Sequence, residues 1–141
     1  MQIAAFLEQC QKIVGTDAVL TDGRPLLPYL TDVRQRFTGK ALAVILPANT
    51  QEVSAIMRLC SRYKVPVVPQ GGNTGTVLGS VPDGKGDAVV LSLKRMDRIL
   101  EVDAGDFIHA ELADFPAAAI VAGGTLGSVF SFHDRFLLLK G

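Results

Sequence analysis

The residues best suited to chemistry form one run, Pro69-Gln70-Gly71-Gly72-Asn73-Thr74-Gly75-Thr76-Val77-Leu78-Gly79-Ser80. Gly71, Gly72, Gly75 and Gly79 lack a Cβ, so the main chain can approach a ligand closely and turn sharply. Successive N–H groups in such turns form anion-binding concavities. Thr74 and Ser80 add hydroxyls, and Asn73 adds an amide. No Lys or Arg lies between Pro69 and Ser80. A phosphate held here is therefore held by main-chain dipoles and not by point charges. Two nucleotide signatures are absent: the Lys-Ser/Thr end of a P-loop, and G-x-G-x-x-G after a strand. Their absence argues against an NTPase and a nicotinamide-dinucleotide domain. The competing reading is a glycine loop that binds nothing.

Other chemically capable residues are sparse. Cys10 and Cys60 fall on apolar helix faces with no C-x-x-C, so they read as buried structural thiols. His109 and His133 stand apart from any second ligand at metal spacing, which excludes a zinc site as the simplest reading. His133-Asp134 follows Ser131-Phe132, which is not a nucleophile elbow. Asp97, Glu101, Asp103 and Asp106 read as a solvated acidic face, without the alternation and glycine turn of a divalent-metal loop.

The elements that must position the loop can be read from periodicity. Ile3, Phe6, Leu7, Cys10, Ile13 and Val14 recur at helical spacing and predict an amphipathic helix of about three turns. Gly15 stops it. Residues 16–40, with Gly23-Arg24-Pro25 and Pro28 as breakers, read as an irregular connection, or as a short strand around Ala18 to Leu20. Ala41 to Leu46 is a short apolar run, as expected of a strand buried on both faces. Asn49 and Glu52 predict a capping box opening a helix with Val53, Ile56, Met57, Cys60 and Tyr63 on its apolar face. Arg62 and Lys64 suit its last turn, and Pro66 closes it. Strands follow at Val67-Val68 and at Ala88 to Leu93. Strand, helix, strand, long loop and strand in that order predict a βαβ unit of an α/β (α+β) fold.

The 141 residues suit one domain, and 48% hydrophobic against 20% charged residues exclude intrinsic disorder. Lys+Arg and Asp+Glu balance at 14 each, and aromatics are 6% with no Trp. Neither a basic nor a stacking surface is implied, so no nucleic-acid partner is expected. No apolar run approaches a membrane span. The N-terminus, Met1-Gln2-Ile3-Ala4-Ala5-Phe6-Leu7-Glu8, lacks a basic n-region. With only two cysteines as well, the cytoplasm is the expected compartment.

Pro69-Gln70-Gly71-Gly72-Asn73-Thr74-Gly75 resembles the pyrophosphate loop of FAD-linked oxidases of the vanillyl-alcohol oxidase or p-cresol methylhydroxylase type. Within them it is most similar to the D-lactate, glycolate and D-2-hydroxyglutarate dehydrogenase branch. Upstream, Tyr29-Leu30-Thr31-Asp32-Val33-Arg34 and Gly39-Lys40-Ala41 precede Pro47, Thr50, Glu52 and Val53 in the family's order. Downstream come Val81-Pro82-Asp83, Val90-Leu91-Ser92-Leu93 and Arg95-Met96-Asp97-Arg98-Ile99. The resemblance covers residues 3 to 107.

The resemblance implies an N-terminal helix and connection (1–40), and a βαβ FAD-binding first subdomain with a small, mainly parallel sheet (41–107). Residues 108–141 form an unmatched tail, so the chain is truncated relative to the family. Gly71, Gly72, Asn73, Thr74 and Gly75 would donate to the FAD pyrophosphate. Gly79 and Ser80 would complete the cradle, with Pro69 and Gln70 at its mouth. Members with covalent flavin often carry His at the position of Asn73, so FAD is expected to be non-covalent. Leu78 departs from the Gly common in relatives. No catalytic residue is expected, because the family's second FAD subdomain and substrate domain have no counterpart here. Gly123-Gly124-Thr125-Leu126-Gly127-Ser128 is only faintly similar to a glycine segment of that second subdomain. Three functions stay open: the FAD-binding portion of a 2-hydroxy-acid oxidoreductase, a truncated non-catalytic chain, and a phosphate or nucleotide module unrelated to flavin. Self-association is expected through the face that the missing subdomain would cover.

Overall fold

The computed structural model describes residues 3–102 and three further strands, at 108–110, 129–132 and 135–138. Helix α1 (Ile3–Val14) buries Phe6, Cys10 and Val14. A 3₁₀ turn at Thr16–Ala18 leads into β1 (Val19–Leu20). A second 3₁₀ turn, Arg24–Leu26, runs into the single-turn helix α2 (Leu27–Leu30). The connection between β1 and the next strand is thus more ordered than its breaker-rich sequence suggests.

Strand β2 (Ala43–Ile45) is followed by α3 (Thr50–Tyr63), β3 (Val67–Gln70) and β4 (Val89–Ser92). The sheet order is β1-β2-β4-β3. β4 lies between β2 and β3 and is parallel to both, while β1 is antiparallel to β2. The small, mainly parallel sheet therefore has the expected character, with β4 inserted between the strands that α3 connects. Ala43, Val44, Ile45, Val89 and Val90 have no exposed surface, as continuous apolar strands require when both faces are covered.

Helix α3 shows what periodicity captures and where it slips. Asn49 caps it, its Oδ1 accepting from Glu52 N–H at 2.9 Å. Glu52 reaches one residue further back than a capping box requires, Oε2 accepting from Ala48 N–H at 2.8 Å. Ile56, Leu59 and Cys60 are buried, whereas Met57 is 44% exposed. Met57 was expected on the apolar face but sits about 100° from Ile56, outside the stripe that Ile56, Leu59, Cys60 and Tyr63 define. The helix closes before Pro66. Lys64 adopts φ 57°, and Val65 N–H donates to Cys60 O at 2.9 Å, a left-handed termination. α1 packs against α3, with the Phe6 and Tyr63 rings 5.5 Å apart and Gln9 Nε2 donating to the Tyr63 hydroxyl at 2.8 Å.

Four further strands, β5 (Ile99–Val102), β6 (Ile108–Ala110), β7 (Val129–Phe132) and β8 (Arg135–Leu138), form a second sheet in the order β5-β6-β8-β7. All of its pairings are antiparallel. His109 lies on β6. His133, Asp103, Asp106 and the Gly123–Ser128 segment lie outside the described residues.

Candidate flavin-binding loop

β2, β3 and β4 run parallel, so one edge of the sheet gathers their C-terminal ends. The chain from Gly71 to Val81 leaves that edge directly from β3. Ligands of open α/β sheets bind at such edges.

Three polar side chains are buried among the described residues, Asp32, Gln70 and Ser92, and all lie at or behind this edge. Buried polar groups are costly unless hydrogen-bonded, and each of these is used. Gln70 Nε2 donates to Tyr29 O at 2.9 Å and to Ser80 O at 2.7 Å. The last residue of β3 thereby holds the far end of its own loop. Asn73 Nδ2 donates to Thr31 O at 2.8 Å and Pro28 O at 3.1 Å, while its Oδ1 accepts from the Ser80 hydroxyl at 2.8 Å. Ser92 pairs in register with Gln70, and its Oγ accepts from Lys94 N–H at 3.4 Å.

The acceptors Pro28, Tyr29 and Thr31 belong to a strap over residues 27–39. Its turn is built on Asp32. Oδ1 accepts from Arg36 and Phe37 N–H, both at 2.7 Å, and Oδ2 from Arg34 N–H at 3.1 Å. The bond from Phe37, then those from Arg36 and Arg34, hold the Asp32 carboxyl below its ordinary pKa, against the opposing effect of burial. Thr31 and Thr38 bridge the base of the turn. At the strap's end, Gly39 N–H donates to Leu30 O at 2.9 Å and Lys40 N–H to Asp83 O at 2.8 Å. A Cβ on Gly39 would lie 1.9 Å from Pro82 O, so only glycine permits this approach.

Sequence reasoning placed Asp32 and Gly39 in a family order but gave them no role. The available signal was local: an Asp opening a short polar turn, ready to accept from N–H groups that follow it. Pro69 is exposed on β3, whereas Gln70 is buried. The side chains of Gln70, Asn73 and Ser80 are spent inside the protein. The left-handed positions of the loop are Asn73 (φ 53°) and Leu78 (φ 65°). Gly75 and Gly79 do not adopt that conformation.

The loop's main chain remains. Among the described residues, no N–H from Gly71 to Ser80 has a hydrogen-bond acceptor, while Gly72, Thr74, Gly75 and Gly79 are exposed. A Cβ on Gly79 would meet nothing within 4 Å, and one on Gly75 only Ser80 Oγ at an ordinary 3.5 Å. Neither packing nor φ demands glycine at these two positions, which leaves the outer surface open for a ligand. The donor set fits a diphosphate: several N–H dipoles and no cation.

Elsewhere the chemistry is quiet. Burial pushes the Cys10 thiol up to about 12 and the Cys60 thiol up to about 11, so both are neutral and inert at physiological pH. Among the described residues no three His, Cys, Asp or Glu side chains could hold a metal ion. No described helix is long and apolar enough to cross a membrane. A cleft of about 430 Å³ is lined by Val14, Gly15, Thr16, Asp17, Leu46 and Arg95 among others. Arg95 donates there to Leu46 O at 2.8 Å and Val14 O at 3.3 Å, joining the ends of β2 and α1.

A mainly parallel sheet with a glycine-rich loop of unpaired main-chain N–H groups at its C-terminal edge is the architecture of a nucleotide-binding α/β domain. Residues 41–131 match the FAD binding domain family, and the chain belongs to that family. The match runs beyond residue 107, where the order of recognisable motifs ends. The chain is 41% identical over 93 residues to mitochondrial D-2-hydroxyglutarate dehydrogenase of Arabidopsis thaliana, covering 66% of this chain and 16% of that protein. It is 35% identical over 96 residues to glycolate oxidase subunit GlcD of Bacillus subtilis, covering 68% of this chain and 20% of that one. Substrate-bound p-cresol methylhydroxylase shares the fold, with a TM-score of 0.67 at 20% identity over 93% of this chain and 27% of that one. The chain thus spans about a sixth to a fifth of the length of these curated relatives. Its cofactor is FAD.

Proposed function

We propose that this chain is the FAD-binding, N-terminal portion of an oxidoreductase acting on a 2-hydroxy acid of the D-lactate, glycolate or D-2-hydroxyglutarate class. In this reading the N–H groups of Gly71, Gly72, Asn73, Thr74 and Gly75 hold the FAD pyrophosphate, with Gly79 and Ser80 closing the cradle through their main chain. Bound flavin would accept the hydride equivalents from the substrate. The observation that carries the reading is that no N–H from Gly71 to Ser80 has an acceptor among the described residues, on a loop exposed at Gly72 and from Thr74 to Gly79. FAD is held non-covalently: the side chain at position 73 is an amide with all its hydrogen-bonding groups engaged inside the protein. Residues 41–107 form the first FAD subdomain in this reading. The compartment is a reducing one, the cytoplasm on the sequence reading, in keeping with the unpaired thiols of Cys10 and Cys60. Exposed Leu27, Val33, Val77 and Leu78 support self-association.

Titration of the purified chain with FAD, followed by flavin fluorescence, tests the reading. Saturable binding with flavin absorbance near ~450 nm on the protein is expected. Gly72→Val should abolish it, because a β-branched side chain fills the approach to the donors. Unchanged affinity in that variant overturns the cradle assignment. A second reading is a non-catalytic chain that binds FAD weakly or not at all. In either reading the chain alone, supplied with FAD, should not reduce dye with D-lactate, glycolate or D-2-hydroxyglutarate. The cradle accounts for cofactor binding and supplies no base for the hydroxyl proton.

A further inference from the structure

The donors proposed to hold the pyrophosphate are main-chain groups, so their direction is set by whatever fixes the loop. Apolar burial does not fix it: Val77 is 86% exposed and Leu78 43%. The loop is held instead by the amides of Gln70 and Asn73, which bond to three carbonyls of the strap, those of Pro28, Tyr29 and Thr31. Carbonyls position a loop only as firmly as they are themselves positioned. Between Thr31 and Thr38, the strap turn is closed by Asp32, whose carboxylate accepts from three N–H groups and whose own N–H donates to Phe37 O at 3.0 Å.

We propose that Asp32 is a positioning residue for the flavin cradle. It holds the Thr31–Asp32 peptide, whose N–H donates to Phe37 O and whose C=O accepts from Asn73 Nδ2, and through Asn73 it orients the N–H groups from Gly71 to Ser80. The proposal rests on the reading of this loop as the pyrophosphate site. Asp32 acts without touching the ligand, because its carboxylate is turned into the strap and occupied there. The requirement is for a side-chain acceptor at this point, more than for a negative charge. Two of the three bonds fall on Oδ1, an atom that asparagine also presents as an acceptor.

Asp32→Ala and Asp32→Asn, made in the full chain, separate this role from general stability. FAD affinity is one readout. Backbone ¹⁵N order parameters, measured without FAD, are the other. For Asp32→Ala, affinity should fall about tenfold or more, the scale of one or two lost hydrogen bonds. Order parameters from Gly71 to Ser80 should drop below about 0.6, while those of α3 stay near ~0.85. Asp32→Asn should recover most of both losses, because only the bond to Arg34 N–H is given up. An Asp32→Ala chain whose loop stays as ordered as the parent's overturns the proposal. So does loss of order spread equally over α3, which marks a merely structural residue, or an Asn variant as impaired as Ala. A parent chain that binds no FAD defeats the pyrophosphate reading instead, and the order parameters still decide whether Asp32 positions the loop.

Discussion

The sheet and the loop that leaves it meet the same requirement by different means. β2 and β4 each lie between two strands, so their N–H and C=O groups have neighbours to pair with, and apolar side chains close both faces; Ala43, Val44, Ile45, Val89 and Val90 are fully buried. From Gly71 to Ser80 there is no ladder and little burial. The loop's shape depends on two side-chain amides, one carboxylate behind them and one close backbone approach at Gly39. The difference teaches that a site built from main-chain donors must be held by groups other than those donors. A hydrogen bond spent on holding an N–H in place is not available to a ligand. The polar side chains bear the positioning, and the amides stay free.

Four measurements can break or sharpen this contrast. The largest effect belongs to the sheet. Ile45→Ala should cost about 4 kcal/mol in urea unfolding, yet the fraction that remains folded should bind FAD as the parent does. A loss of affinity out of proportion to unfolding would show that the two regions are not separable. Gly39→Ala comes next. Its Cβ would collide with main-chain oxygen and cannot rotate away, so a cost of about 3 kcal/mol is expected together with loss of FAD binding. A variant that keeps parental affinity would remove Gly39 from the set that fixes the loop.

The third effect is a pH dependence. The folded-state pKa of Asp32 is depressed. Its contribution is therefore present above the unfolded value of about 3.9 and is lost as pH falls through the lower folded value. Loop order, followed by limited proteolysis between Gly71 and Ser80, should survive to the bottom of the ordinary carboxylate range. It should then loosen only in part, because a protonated carboxyl still offers its carbonyl oxygen to Arg36 and Phe37 N–H, and in Asp32→Asn this acid step should disappear. The smallest effect is at Leu78, a γ-branched residue held at φ 65°. Leu78→Gly relieves about 1–2 kcal/mol of left-handed strain, offset by the entropy of a freer unfolded chain. A net gain of about 0.5 kcal/mol by urea unfolding is expected, with FAD affinity no weaker. Destabilisation would mean that the Leu78 side chain packs against something in solution.

The sequence by itself determined the elements and the chemistry of the loop. Period-3.6 apolar spacing located α1 and α3, and short β-branched runs located β2, β3 and β4, because these patterns arise from local backbone geometry. Glycine content without lysine or arginine marked residues 69–80 as a loop in which a phosphate would be held by main-chain dipoles, since residue type alone decides whether point charges are present. Periodicity slipped where one residue of offset mattered, at Met57 and Leu59. Tertiary structure decided what cannot be read from neighbours in the chain. It placed β4 between β2 and β3, moved the left-handed positions onto Asn73 and Leu78, and turned the Asn73 and Ser80 side chains inward. It also joined the strap carbonyls of Pro28, Tyr29 and Thr31 to the amides of Gln70 and Asn73. Those bonds link residues 41 to 45 positions apart. Which polar side chain is spent on the protein and which group is left for a ligand depends on such long-range pairing, and local pattern carries no record of it.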